Sequence, residues 1–271
     1  FGLTRVRPEM AWRAFAVEAE GATLAGERRG EGPPLVLVHG MGSSRAGWDR
    51  VVEHLPPDMP LLRYDLRGFG ASAADPQGEY SHADDLAALL DALGIARASL
   101  CGLSMGGAIA ASLAIADPAR IARLVLVSPA LAGWEWSDEW RSLWRAVGGA
   151  AKAGDLARAR DLWFAHPMFK AARENPAATA ELRHEIDLFP GRQWFSDRQR
   201  PVLPDVDRLH AIACPALLLT GARDFADFRL IASLIEAAVP NLRRGDYPHA
   251  GHMLPLEQPA QGAGEVAGFI R

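Results

Sequence analysis

Apolar residues in this chain fall into short, nearly continuous runs separated by longer amphipathic stretches. Leu35–Val38, Leu61–Tyr64, Ala98–Cys101, Leu124–Val127 and Pro215–Thr220 are such runs. They have the pattern of strands buried on both faces of a parallel sheet. Ahead of them, Trp12–Glu20 alternates apolar and polar positions, turns at Gly21 and leads into Thr23–Arg28. That alternation predicts an antiparallel hairpin. Helical spacing fills the intervals: Trp48–Leu55, Tyr80–Leu93 (Leu86, Leu89, Leu90, Leu93), Met105 to about Asp117, Phe228–Val239 and Glu257–Arg271. Strand alternating with helix predicts an α/β protein, a mostly parallel sheet with helices on both faces. A final strand belongs at Leu242–Tyr247, but Arg243, Arg244, Gly245 and Asp246 make a poor one.

The pattern changes between residues 130 and 204. No β-branched run occurs there. Helical spacing covers Glu139–Ala153, Leu156–Phe164 and Pro176–Leu188, with tryptophans at 134, 136, 140, 144, 163 and 194. This stretch reads as a helical insertion, so the expected organisation is a core of residues 1–129 and 205–271 carrying a cap of residues 130–204. Such aromatic density usually reflects helix-on-helix packing. Because ligands bind above the C-terminal ends of strands in open α/β sheets, an insertion there would also cover a crevice. Trp134, Trp136, Trp140 and Trp163 are therefore candidate pocket residues.

Composition narrows the choice little. With 271 residues, 49% hydrophobic and 23% charged, and a formal charge of −4, the chain is an ordinary globular one without a basic stripe for nucleic acid. No apolar run approaches the ~18 residues of a membrane span. Cys101 and Cys214 have neither CxxC nor metal-ligand spacing and sit at strand edges, as buried thiols of a reducing, cytoplasmic compartment would. Neither a metal nor a cofactor is expected. The chain opens on Phe1, which leaves room for a removed upstream segment. Nothing in it indicates an oligomeric state.

The densest chemical signal is Gly102-Leu103-Ser104-Met105-Gly106-Gly107, at a strand-to-helix corner. Glycines on both sides of a serine permit a sharp, strained turn that lifts the hydroxyl clear at the positive end of a helix. The same pattern also fits a tight turn whose serine caps the helix. A serine nucleophile needs a base, an acid to orient it, and N–H donors for the oxyanion. Asp224 follows the Pro215–Thr220 strand and His252 the next one, in the chain order serine, acid, base. Asp227 competes for the acid and His249 for the base. The Met105 N–H opens the helix after Ser104, and the Met41 N–H lies between Gly40 and Gly42 after the Leu35–Val38 strand, so these two are the candidate oxyanion donors. His39 is expected to hold that loop rather than to react.

These residues, with Tyr64-Asp65-Leu66-Arg67-Gly68-Phe69-Gly70-Ala71-Ser72, Gly221-Ala222-Arg223-Asp224 and Gly251-His252-Met253-Leu254-Pro255-Leu256-Glu257, resemble the α/β-hydrolase superfamily over essentially the whole chain outside the cap. The resemblance implies an eight-stranded sheet and a serine hydrolase mechanism. The serine elbow departs from the haloalkane dehalogenase and epoxide hydrolase branches, which place aspartate there. Met253 after His252 departs from the tryptophan of the meta-cleavage C–C hydrolases, and Met105 from that of proline iminopeptidases. The Asp65–Ser72 loop and the elbow are similar to those of small carboxylesterases and 3-oxoadipate enol-lactonases. The expected substrate is a small or medium apolar carboxylic ester or lactone. C–C cleavage and ligand binding without turnover are the alternatives.

Overall fold

The computed structural model describes residues 11–74, 78–200 and 202–271; Phe1, and the expectation attached to it, lies outside them. The predicted hairpin is present as β1 (Arg13–Ala19) and β2 (Ala22–Arg29), antiparallel around Gly21. Then follow β3 (Leu35–Val38), α1 (Asp49–His54), β4 (Leu61–Tyr64), the two-residue β5 (Ala73–Ala74), α2 (His82–Ala92), β6 (Ala98–Leu103), α3 (Met105–Ala116) and β7 (Ile121–Val127). A helical stretch comes next: α4 (Asp138–Lys152), α5 (Leu156–Phe164), α6 (Lys170–Arg173), α7 (Pro176–Leu188) and α8 (Arg192–Phe195). The chain closes with β8 (Ala216–Gly221), α9 (Ala226–Ala238), β9 (Leu242–Tyr247), α10 (Leu254–Glu257) and α11 (Pro259–Ile270).

The strands form one sheet in the order β1-β2-β4-β3-β6-β7-β8-β9, with β5 paired to β2. Pairing is parallel from β4 through β9, and antiparallel where β2 meets β1, β4 and β5. The sheet thus has nine strands rather than eight; the extra one is the short β5. Every residue of β3, β6 and β8 is buried, as continuous apolar runs in the middle of a parallel sheet require. On the sheet, α1 packs with α11 and α2 with α3.

Two expectations need correction. The poor strand at Leu242–Tyr247 forms completely, pairing with β8 from Leu242 to Tyr247. It is an edge strand, so its charged side chains need no place in the sheet interior. Arg244 pairs with Glu236 at 2.6 Å and Asp246 at 2.9 Å, and Thr220 donates to Asp246 at 2.8 Å. Charge along an exposed edge also discourages pairing with another chain. The helix expected over Glu257–Arg271 starts two residues later, at Pro259, and a short α10 precedes it; Gln258 (φ −140°, ψ 52°) separates them, because Pro259 disfavours the helical region for the residue before it.

The chain leaves the sheet after β7 and returns at β8, its neighbour, so α4–α8 rise from the C-terminal edge between these strands. One continuous apolar core runs from the sheet into this helical stretch, through Trp163, Phe169, Phe189 and Trp194.

Candidate active site

Ser104 stands between the last residue of β6 and the first of α3, with φ 53° and ψ −116°. For a non-glycine residue that is a strained conformation. The crossing is tight because two glycines permit it. A Cβ on Gly102 would lie 2.2 Å from the Gly106 carbonyl oxygen, and one on Gly106 2.1 Å from that of Val38. Although Ser104 occupies the N-cap position of α3, its side chain makes no capping bond. The hydroxyl is therefore not spent on the helix, which removes the capping reading of the motif.

His252 lies in the loop after β9, fully buried, with Nδ1 at 3.0 and 3.1 Å from the two oxygens of Asp224, after β8. An ionised carboxylate only accepts, so Nδ1 carries the proton and the Nε2 lone pair is the ring's basic site. Asp224 also accepts the Phe225 N–H at 2.7 Å. The competitors are elsewhere. His249 is exposed, and Asp227 accepts from Trp134 Nε1 (3.0 Å), Ser137 N–H (3.0 Å) and Ser137 Oγ (2.7 Å). Burial alone would raise the Asp227 carboxyl, but these bonds outweigh it and hold the group below the usual carboxylate range. Asp227 thus pins the start of α4 to the start of α9.

The loop after β3 approaches Ser104 from the other side. His39 Nε2 accepts the Leu66 N–H at 3.0 Å, so its Nδ1–H donates to the Gly40 carbonyl at 2.9 Å. Burial, partly offset by that bond, pushes the His39 pKa down and keeps the ring neutral. In a trans peptide the C=O and N–H point opposite ways, so fixing the Gly40 carbonyl aims the Met41 N–H away from His39. The Met105 N–H is the first of the orphan donors at the start of α3. A carboxylate on α10 steadies the His252 loop. Glu257 accepts Gly251 N–H at 2.6 Å and Met253 N–H at 2.9 Å, so it grips the backbone of the residues before and after His252. Burial raises its pKa against the pull of those bonds.

Ser104, Met41, Met105 and His252 line one cavity of about 430 Å³, the size of a small-molecule site. Its far wall is aromatic: Trp136 just before α4, Trp140 and Trp144 four residues apart on α4, with Trp163 from α5 and Phe228 from α9. Trp136 stacks on Trp140 with centroids 4.3 Å apart, and Phe228 lies 4.2 Å from the His252 ring. Three of the four candidate pocket tryptophans are there. Trp134 is not: its indole N–H is held by Asp227 outside the lining. Trp144, Met168, Phe169 and Phe228 went unassigned in the sequence, although the 136–140–144 spacing was signal enough for the first. Arg141 and Arg145 stand on the lining with exposed side chains. Among the described residues no cluster of His, Cys, Asp or Glu is arranged to hold a metal ion, and no helix is long and apolar enough to cross a membrane.

A mostly parallel sheet with a strained serine at its central corner and a His–Asp pair beyond its later strands defines a class of hydrolase scaffold. The chain belongs to the alpha/beta hydrolase fold family, whose profile matches residues 33–259. Its relatives include the protein named "Putative carbamate hydrolase RutD" of Klebsiella pneumoniae (strain 342), 30% identical over 230 residues, covering 81% of this chain and 84% of the relative. The pimeloyl-[acyl-carrier protein] methyl ester esterase of Nitrosomonas europaea is 28% identical, over 89% of this chain and 96% of its own. Among solved structures, the enol-lactonase of Burkholderia xenovorans LB400 is similar with a TM-score of 0.81 at 25% identity, over 94% of this chain and 99% of its own.

Proposed function

We propose that this protein is a serine hydrolase that cleaves a small or medium apolar carboxylic ester or lactone through an acyl-enzyme on Ser104. The observation that carries the reading is that His252, its Nδ1 paired with Asp224 behind it, lines the same cavity as the strained Ser104. In this reading His252 Nε2 takes the Ser104 proton as Oγ attacks the carbonyl carbon. The oxygen, now negative, is met by the N–H groups of Met41 and Met105. His252 then protonates the leaving alcohol, which in a lactone stays tethered to the acyl group. A water, deprotonated by the same nitrogen, releases the acid. Asp224 keeps the ring in the required tautomer and stabilises its charged form. The relatives named as esterases and as an enol-lactonase support the ester or lactone bond. The aromatic wall supports an apolar substrate, with the helical stretch acting as a cap over it.

The test is turnover on a ladder of p-nitrophenyl acyl esters, with lactones and an N-alkyl carbamate in parallel. Short and medium acyl chains should be hydrolysed faster than long ones. Ser104→Ala should lose roughly 10⁴-fold or more in kcat. Ester turnover that survives Ser104→Ala, or no turnover on any member of the panel, contradicts the proposal.

A further inference from the structure

The loop carrying the Met41 N–H is held at three places, and only one of these anchors comes from the helical stretch. The core supplies His39 on the Gly40 carbonyl, and Asp65, which accepts the Arg45 N–H at 2.8 Å and pairs with the Arg45 side chain. The third anchor is Glu185 on α7, a buried carboxylate far from the sheet in sequence. Its Oε2 accepts three bonds from the loop: Ser44 N–H at 2.9 Å, Ser44 Oγ at 3.0 Å and Ser43 Oγ at 3.1 Å. Ser44 Oγ in turn accepts the Ala46 N–H, so the same contact sets the first turn after the loop. Between the His39 and Glu185 anchors the backbone passes through Gly42 at φ 77°, a residue that imposes little conformation of its own. The direction of the Met41 N–H is then defined from both ends, by His39 before it and Glu185 after it.

We infer that Glu185 is a positioning residue for the oxyanion donor, joining the helical stretch to the loop so that the Met41 N–H is aimed only while α7 is seated. It acts through the loop and touches no reacting atom. The inference rests on the proposed role of Ser104 and Met41. It predicts a loss specific to the transition state: donors misplaced by about an ångström are still compatible with substrate binding but not with a stabilised oxyanion.

The experiment compares Glu185→Ala, Glu185→Gln and Ser44→Ala on one p-nitrophenyl ester, with two inhibitors of the same chain length. A trifluoromethyl ketone accepts the serine oxygen at its carbonyl carbon and places an oxyanion at the site; the plain methyl ketone only occupies the pocket. Glu185→Ala should lower kcat by roughly 10–100-fold with little change in KM. Trifluoromethyl ketone inhibition should weaken by a similar factor and methyl ketone inhibition should not. Glu185→Gln keeps a carbonyl acceptor of the same shape and should recover to within roughly threefold of wild type. If Glu185→Ala does not fold, Ser44→Ala decides, with a several-fold fall in kcat at unchanged KM expected. Unchanged kcat in the folded variants, or equal weakening of both inhibitors, overturns the inference. A wild-type protein that neither hydrolyses the ester nor binds the trifluoromethyl ketone overturns the proposed function instead.

Discussion

At the scale of single residues, the contrast between two aspartates three positions apart is the most informative. Asp224 and Asp227 both follow β8, and sequence alone leaves either able to orient a histidine. Asp224 spends its carboxylate on His252, whereas Asp227 spends its own on Trp134 and Ser137. Opposite kinetic signatures should follow. Asp224→Asn should lower kcat by roughly 10⁴-fold, because the amide can donate to Nδ1 and favours the wrong tautomer. Asp227→Ala should keep turnover, raise KM, and lose about 1.5–3 kcal/mol of stability in urea unfolding as its three donors lose their acceptor. His252→Ala should abolish ester hydrolysis while His249→Ala, at an exposed position, leaves kcat near wild type.

At the scale of elements, what could be read from the chain and what could not divide along physical lines. β3, β6, β8 and the Leu124–Val127 half of β7 were legible because central parallel strands bury both faces there, which leaves runs with no charged residue. The Ser104 corner was legible because only glycines fit around it. Replacing Gly106 with alanine forces β3 and α3 apart against a backbone oxygen and should cost about 3 kcal/mol, read as a lower urea midpoint. β9 was misjudged because edge strands tolerate charge that a central strand does not. Glu185 and the seat of Trp134 could not be read at all. Their roles are contacts between segments more than 90 residues apart, made by side chains with no local pattern. Aromatic density in the helical stretch was visible in the chain, but only the fold shows that Trp144 joins Trp136 and Trp140 on the cavity wall while Trp134 does not.

At the scale of the whole molecule, burial of neutral histidines should limit acid stability. His82 lies between the Phe69 and Tyr80 rings with neither nitrogen hydrogen-bonded and Nδ1 4.0 Å from the Asp85 carboxylate, and His166 accepts the Met168 N–H at 3.2 Å beside Trp140. Burial pushes both down to about 3, helped at His82 by the charge of Arg67 and at His166 by that of Arg173. Their unfolded-state values are higher, so below about pH 6.5 the unfolded chain binds protons that the folded one refuses. Stability should therefore fall with pH from there towards about 3, by up to ~1.4 kcal/mol per unit for each histidine. Unfolding midpoints measured across that range should flatten in His82→Phe. A slope unchanged by that substitution would show that His82 contributes none of it. The proposed chemistry requires Ser104 as its nucleophile, with the sheet, both loops and the helical stretch arranged about it. Intact-protein mass spectrometry after exposure to a fluorophosphonate tests that most directly. Wild type should gain a single phosphonyl adduct that maps to Ser104, and Ser104→Ala should gain none. An unmodified wild type, or an adduct that persists in Ser104→Ala, would contradict it.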